Sequence, residues 1–281
     1  MKSIKNKGFL YLIITILPAI EPSLYAQEPV LTDYDLSIPV QIQIDDHSGT
    51  GFLLHDSLNF YLITAFHVLV NDSNQVADSV LLVRYYIDNP YFTEPDFLKI
   101  NLQEIGKNLN CNPNRDIAVI KIGYRNDLIS TYRLLDGISF SGESKDLKVS
   151  SLNSGEVCFF NNVNIGGKVF ILGYPMAIGN NGKFPLDFTR PLVSTGIIAG
   201  INAAQQFIII DGMTFMGNSG SPVLMIENDK VFVIGIIVQF ISYQEPAITS
   251  FKKIQPAFWS NSGYSIVIPI NDIIELANHI K

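Results

Sequence analysis

The apolar residues of this chain recur at every second position or in short β-branched runs, and Gly, Asn, Asp and Pro break most runs before they reach helical length. Val40-Gln-Ile-Gln-Ile44 alternates most cleanly. A period of two turns one face of a strand to a core and the other to water, so such a chain must bury its apolar residues against or inside sheets. The pattern predicts further strands at 50–54, 60–64, 79–87, 116–122, 155–160, 168–172, 192–201, 207–210, 223–226, 231–238 and 265–268. Glu227-Asn-Asp-Lys230 has the turn residues of a hairpin between two of them. Only the end reads as helix: Asn271 as N-cap, Asp272 in the first turn, and Ile273, Ala277 and Ile280 on one face. Short strands without intervening helices predict an all-β fold of sandwiches or barrels. The polar stretch 126–146 is the one candidate boundary, dividing the chain into β units at 27–135 and 136–281.

Composition narrows the partners. With 47% hydrophobic and 16% charged residues over 281 positions, the chain is globular and long enough for a full core. Lys+Arg 19 against Asp+Glu 26 gives a net charge of −7, which offers no electrostatic footprint for nucleic acid or for a membrane surface. At the N-terminus Lys2, Lys5 and Lys7 precede an apolar run from Phe9 to Ile20 and a polar stretch ending at Ala26. That order predicts a signal peptide over 1–26 and export to the periplasm or outside the cell. A membrane is a partner only if this segment stays uncleaved. Removing it subtracts three Lys and one Glu, leaving 16 basic against 25 acidic residues, or −9. Export permits a disulfide between Cys111 and Cys158, and two separate buried thiols are the alternative. No CxxC pair or zinc-type His/Cys spacing occurs, so neither metal nor cofactor is expected.

Three segments carry chemistry. In Gly217-Asn-Ser-Gly-Ser-Pro222 two glycines flank Ser219, which suits a hydroxyl held on a tight turn with backbone N–H groups beside it. Read alone, it is equally a polar loop. In Tyr61-Leu-Ile-Thr-Ala-Phe-His67 a histidine ends an apolar strand, as a base or as a hydrogen-bonded core residue. In Asn114-Arg-Asp116-Ile-Ala-Val a carboxylate opens a strand, either capping a turn or fixing an imidazole tautomer. The α/β-hydrolase GxSxG elbow does not fit, because Ser221 stands where its second glycine belongs.

In the order His67, Asp116, Ser219, these segments resemble the chymotrypsin-like (trypsin-like) serine peptidases, in particular the bacterial secreted branch with a GNSGSP nucleophile motif. Thr64-Ala-Phe-His67, Asp116-Ile-Ala-Val and the serine motif match, and the likeness runs from about Gly49 through Gly173-Tyr-Pro175 to Ser265-Ile-Val-Ile-Pro269. The resemblance implies two antiparallel Greek-key six-stranded barrels with a short C-terminal helix. It implies His67 and Asp116 on the first barrel, Ser219 on the second, and an oxyanion hole from the N–H groups of Gly217 and Ser219. The implied activity is a secreted endopeptidase acting on protein or peptide through an acyl-enzyme. A catalytically weak, protease-like binding or scaffolding protein is the alternative, and an esterase on small acyl groups a third reading.

Two departures sharpen the expectation. Asn218 stands where digestive members carry the Asp that receives a new N-terminus, so no activating cut of that kind is expected. No room for a PDZ module follows the terminal helix, which predicts a peptidase unlike the HtrA-like members. The specificity pocket implied by the resemblance comprises Met213 and Thr214 at its floor and Ile237, Val238 and Phe240 along its wall. Without an acid at 213 or a histidine at 237, cleavage after Lys, Arg or Glu is disfavoured, and Phe240 at the rim restricts the pocket to small or medium apolar residues.

Overall fold

The computed structural model describes residues 31–44, 47–71, 75–84, 96–126, 131–141, 146–147, 151–176, 189–228, 230–248 and 254–280. The leader expected at 1–26 lies outside them. Residues from Leu31 onward form one compact unit. After a one-turn helix α1 (Asp33–Leu36) come β1 (Pro39–Ile44), β2 (His47–His55), β3 (Asn59–Ala65), β4 (Ser79–Arg84) and β5 (Asp96–Asn101). A second short helix, α2 (Leu102–Ile105), precedes β6 (Leu109–Asn112), β7 (Ile117–Asn126), β8 (Thr131–Leu134), β9 (Ile138–Phe140), β10 (Asp146–Leu147) and β11 (Leu152–Asn153). These eleven strands make one sheet in the order β10-β8-β7-β3-β2-β1-β4-β5-β9, with β6 on β7 and β11 parallel on β2.

The remaining strands are β12 (Lys168–Gly173), β13 (Leu192–Asn202), β14 (Phe207–Asp211), β15 (Pro222–Glu227), β16 (Lys230–Ile248) and β17 (Ile254–Pro269). They close into a barrel in the order β12-β13-β14-β17-β16-β15. The mostly-β class with barrel-like sheets is thus observed. The barrel has the six strands expected, whereas the first sheet has eleven. Strands β8 to β11, two to four residues each, are too short for a period to show in the sequence, and all pair within the first sheet.

Both faces of β12 are buried, which is why Val169-Phe-Ile-Leu172 reads as one apolar run. Val169 and Ile171 point into the barrel with Ile198, Ile208, Ile210 and Val267. Phe170 and Leu172 turn the other way and join a core shared with the first sheet, where Phe52, Leu62, Ile63 and Val119 lie. Each such fully buried side chain contributes roughly 1.5–3 kcal/mol.

Two local expectations are corrected. Residues 155–160 are not a strand: they make one bridge, Val157 to Val233, and run into a 3₁₀ turn at Phe160–Asn162. The apolar character of the segment is used to seat Cys158, Phe160 and Val163 against the barrel core. The terminal helix α3 (Ile270–Asn278) has Pro269, not Asn271, at its N-cap. The Asn271 side chain instead accepts the Phe160 N–H at 2.9 Å, satisfying a backbone donor of that turn. Ile273 and Ala277 are buried as expected, with Ile270 and Leu276 beside them. Cys111, on β6, and Cys158 are both free thiols, and burial pushes Cys111 up to about 11. No helix among the described residues is long and apolar enough to cross a membrane.

Candidate active site

Strand β3 delivers the histidine. Phe60 to Ala65 are buried, and the chain then enters a 3₁₀ turn, Phe66–Leu69, instead of ending as strand. Val68 and Leu69 are buried and anchor that turn, which leaves the His67 side chain 50% exposed. On β7 the register sets Ile117 opposite Ala65, so the residue before one strand meets the residue after the other. Phe66 N–H donates to the Asp116 carbonyl at 3.1 Å, and His67 N–H donates to Asp116 Oδ1 at 2.9 Å. The second carboxylate oxygen, Oδ2, lies 2.6 Å from His67 Nδ1. An ionised carboxylate only accepts, so Nδ1 carries the hydrogen, and in the neutral ring Nε2 then holds the lone pair.

Asp116 is not part of the strand. It closes the turn from Pro113 at φ +55°, in the left-handed region that Asp tolerates better than bulkier residues. Arg115 holds this turn from the other side. Its Nε lies 2.5 Å from Asp272 Oδ2 on α3, and its two Nη groups donate to the Gln205 and Gln206 carbonyls at 2.7 Å. The guanidinium also lies 4.9 Å from the centre of the Phe207 ring.

The serine sits on the turn before β15. Gly217 has φ +95° and Gly220 φ +85°. A Cβ at Gly217 would lie 2.3 Å from the Tyr174 carbonyl oxygen, and one at Gly220 2.0 Å from the Thr50 carbonyl oxygen. Conformation and space therefore both require glycine on either side of the serine. Thr50, on β2 of the first sheet, clamps the turn: its N–H donates to the Ser219 carbonyl at 2.8 Å and its hydroxyl to the Gly217 carbonyl at 2.7 Å. Asn218 is buried, with its Oδ1 accepting Phe215 N–H at 3.0 Å. Among the described residues nothing accepts the N–H of Gly217 or of Ser219.

His67, Gly217 and Ser219 line one cavity of about 410 Å³, together with Met176 and Met216. Asp116 stands behind His67. The five residues expected to set specificity do not line it. Met213 is half exposed; Thr214 is buried, with its hydroxyl 2.7 Å from that of Ser265. Ile237 packs in the barrel core, Val238 in the shared core, and Phe240 pairs with Ser265. Thr50, Arg115, Met176 and Met216 escaped the sequence reading; only Thr50, between the glycines of Gly49-Thr-Gly51, had a local signal. Among the described residues no group of three or more His, Cys, Asp and Glu is placed to hold a metal ion.

The model of the trypsin-like peptidase domain matches residues 49–236, a span that takes in His67, Asp116 and Ser219. No curated protein matches the sequence. Among solved structures, the serine endoprotease from Yersinia pestis superposes with a TM-score of 0.51 at 16% identity, over 89% of this chain and 67% of that one. The HtrA-type protease AlgW with tripeptide gives 0.50 at 17% identity, over 87% of this chain. The chain spans 60% of AlgW's length. At these identities the likeness is one of fold, and it agrees with the sheet and barrel described above. With the family match across its core, the chain belongs to the trypsin-like peptidase domain family and is a serine endopeptidase.

Proposed function

We propose that this endopeptidase works through Ser219 as nucleophile, His67 as general base and then acid, and Asp116 as the group that orients His67. The observation that carries the reading is the 2.6 Å hydrogen bond that His67 Nδ1 donates to Asp116 Oδ2, which leaves Nε2 of the neutral ring as a base in a cavity shared with Ser219. Ser219 Oγ attacks the peptide carbonyl as His67 takes its proton. The negative oxygen then meets the N–H groups of Gly217 and Ser219. His67 returns the proton to the leaving amine, and water repeats the sequence on the acyl-enzyme. These roles follow the general logic of the triad. Export by the segment at 1–26, cleavage after small or medium apolar residues, and maturation without a digestive-type activating cut complete the proposal. The locally satisfied Asn218 supports the last of these.

A fluorophosphonate probe on the folded protein, with peptide hydrolysis beside it, tests the reading. Wild type should label at Ser219 and Ser219→Ala should not. Turnover in that variant should fall by about 10⁶, because triad members act as a unit. Unlabelled but folded wild-type protein, or a Ser219→Ala variant within tenfold of wild type, refutes it.

A further inference from the structure

The two sides of a scissile bond face different chemistry. The leaving amine takes its proton from His67 Nε2, so the residue after the cut sits against that histidine, while the acyl part remains on Ser219. The 410 Å³ cavity has His67 and Val68 on one wall, Gly217 and Ser219 on another, and no residue of β16, the strand expected to carry the acyl-side pocket. It therefore lies on the leaving side. Its remaining wall is Met176 and Met216, tied together by the Met176 N–H donating to the Met216 carbonyl at 2.9 Å. Met216 is 74% exposed, more than any other large apolar side chain among the described residues, and stands next to the oxyanion-hole glycine. His47 and Ser48 edge the cavity, His47 Nε2 being 3.1 Å from the Val70 carbonyl oxygen. Among the described residues neither Lys, Arg, Asp nor Glu lines it.

We propose that this cavity binds the side chain of the first residue after the scissile bond and selects a medium or large apolar one, such as Leu, Met or Phe, with Met176 and Met216 as the selecting residues. The proposal rests on the peptidase reading of Ser219. A carboxylate entering this space would lose water and meet no Lys or Arg among the described lining residues, whereas an apolar side chain covers Met176 and Met216. Thioether side chains are flexible and polarizable, so they adapt to several shapes, which predicts a class and not a single residue.

Acyl transfer isolates the leaving side. A small activated N-acyl amino-acid ester places its acyl group on Ser219, and an added amino-acid amide then competes with water for it. The amide's α-amine attacks the acyl carbonyl, the Ser219 Oγ–carbon bond breaks, and the amine proton passes through His67 to Oγ. Leu, Met and Phe amides should capture the acyl group roughly tenfold or more better than Gly or Asp amide, the discrimination expected of an apolar slot. Met176→Gln and Met216→Gln should lower that ratio to about threefold or less, the ratio being read within each variant so that a change in its ester hydrolysis cancels. Equal capture of all amides by wild type overturns the assignment without any variant being needed, and so do variants that keep the preference. Absence of ester hydrolysis in folded wild type overturns the peptidase reading, and the assignment with it.

Discussion

Gly217 combines a φ of +95° with a backbone wall 2.3 Å from where a Cβ would stand, and its N–H has no acceptor among the described residues. Gly217→Ala cannot keep that conformation, so the N–H turns away from the position of the developing oxyanion. Loss of one such donor costs roughly 10²–10³ in kcat. Steady-state kinetics on a peptide substrate should show this drop with KM little changed; a loss under tenfold would remove Gly217 from the hole. Asp116→Asn tests the tautomer argument at the same scale. An amide can donate to Nδ1, which places the proton on Nε2 and leaves no base toward Ser219. The expected fall in kcat is about 10⁴, with near wild-type stability at neutral pH. Activity within tenfold of wild type would show that the 2.6 Å contact does not set the tautomer.

Strand alternation was legible in β1, where Val40, Ile42 and Ile44 point inward, but β5, with Leu98 and Ile100 buried on one face, was not read as a strand. Alternation failed where an apolar segment packs on the barrel without pairing as a strand. The stretch 155–160 has the composition of a strand, but a 3₁₀ turn and the Asn271 side chain take its backbone bonds. Arg115 ties the Asp116 turn to the β13–β14 hairpin and to α3. Arg115 and Asp272 are each 19% exposed, so removing the guanidinium leaves the part-buried Asp272 carboxylate without its partner, while the exposed Gln205 and Gln206 carbonyls turn to water. Arg115→Met should cost about 1 kcal/mol in urea denaturation, the upper end for an ion pair that water still reaches. It should also lower kcat more than it raises KM, because Asp116 loses its support at positive φ. Unchanged denaturation midpoint and unchanged kcat together would show the tie to be idle.

Across the whole molecule, the core of the first sheet runs without a break into the barrel through Phe170, Leu172, Leu224 and Ile236, and α3 closes over it with Ile273 and Leu276. Unfolding should therefore be a single transition, read by coincident fluorescence and circular dichroism curves. His55, at the end of β2, links to Ser151 with Nδ1 2.9 Å from its hydroxyl. Burial holds its pKa below the ordinary imidazole value. In the window between the folded and the unfolded value, the unfolded chain binds the proton and the folded one does not. Stability from this group is thus full above about pH 6.5 and is lost as pH falls through that window. His55→Gln should flatten this part of the stability-against-pH curve. A variant as steep as wild type between about pH 7 and 5 would exclude His55 as its source.

The sequence by itself determined the β class, because a two-residue period is a local property that survives without knowledge of partners. It also singled out His67, Asp116 and Ser219 as candidates, through their joint order in motifs that resemble the peptidase family, each motif alone reading equally as a loop, a core residue or a cap. Their meeting depended on the tertiary structure. Ala65 opposite Ile117 brings His67 to Asp116, and Thr50 reaching from the first sheet to Gly217 and Ser219 anchors the serine turn where Ser219 and His67 line one cavity. The cavity wall of Met176 and Met216, and the grip of Arg115 on α3, likewise join residues 40 or more positions apart. Such contacts arise from register and chain closure, which no local pattern of side chains encodes.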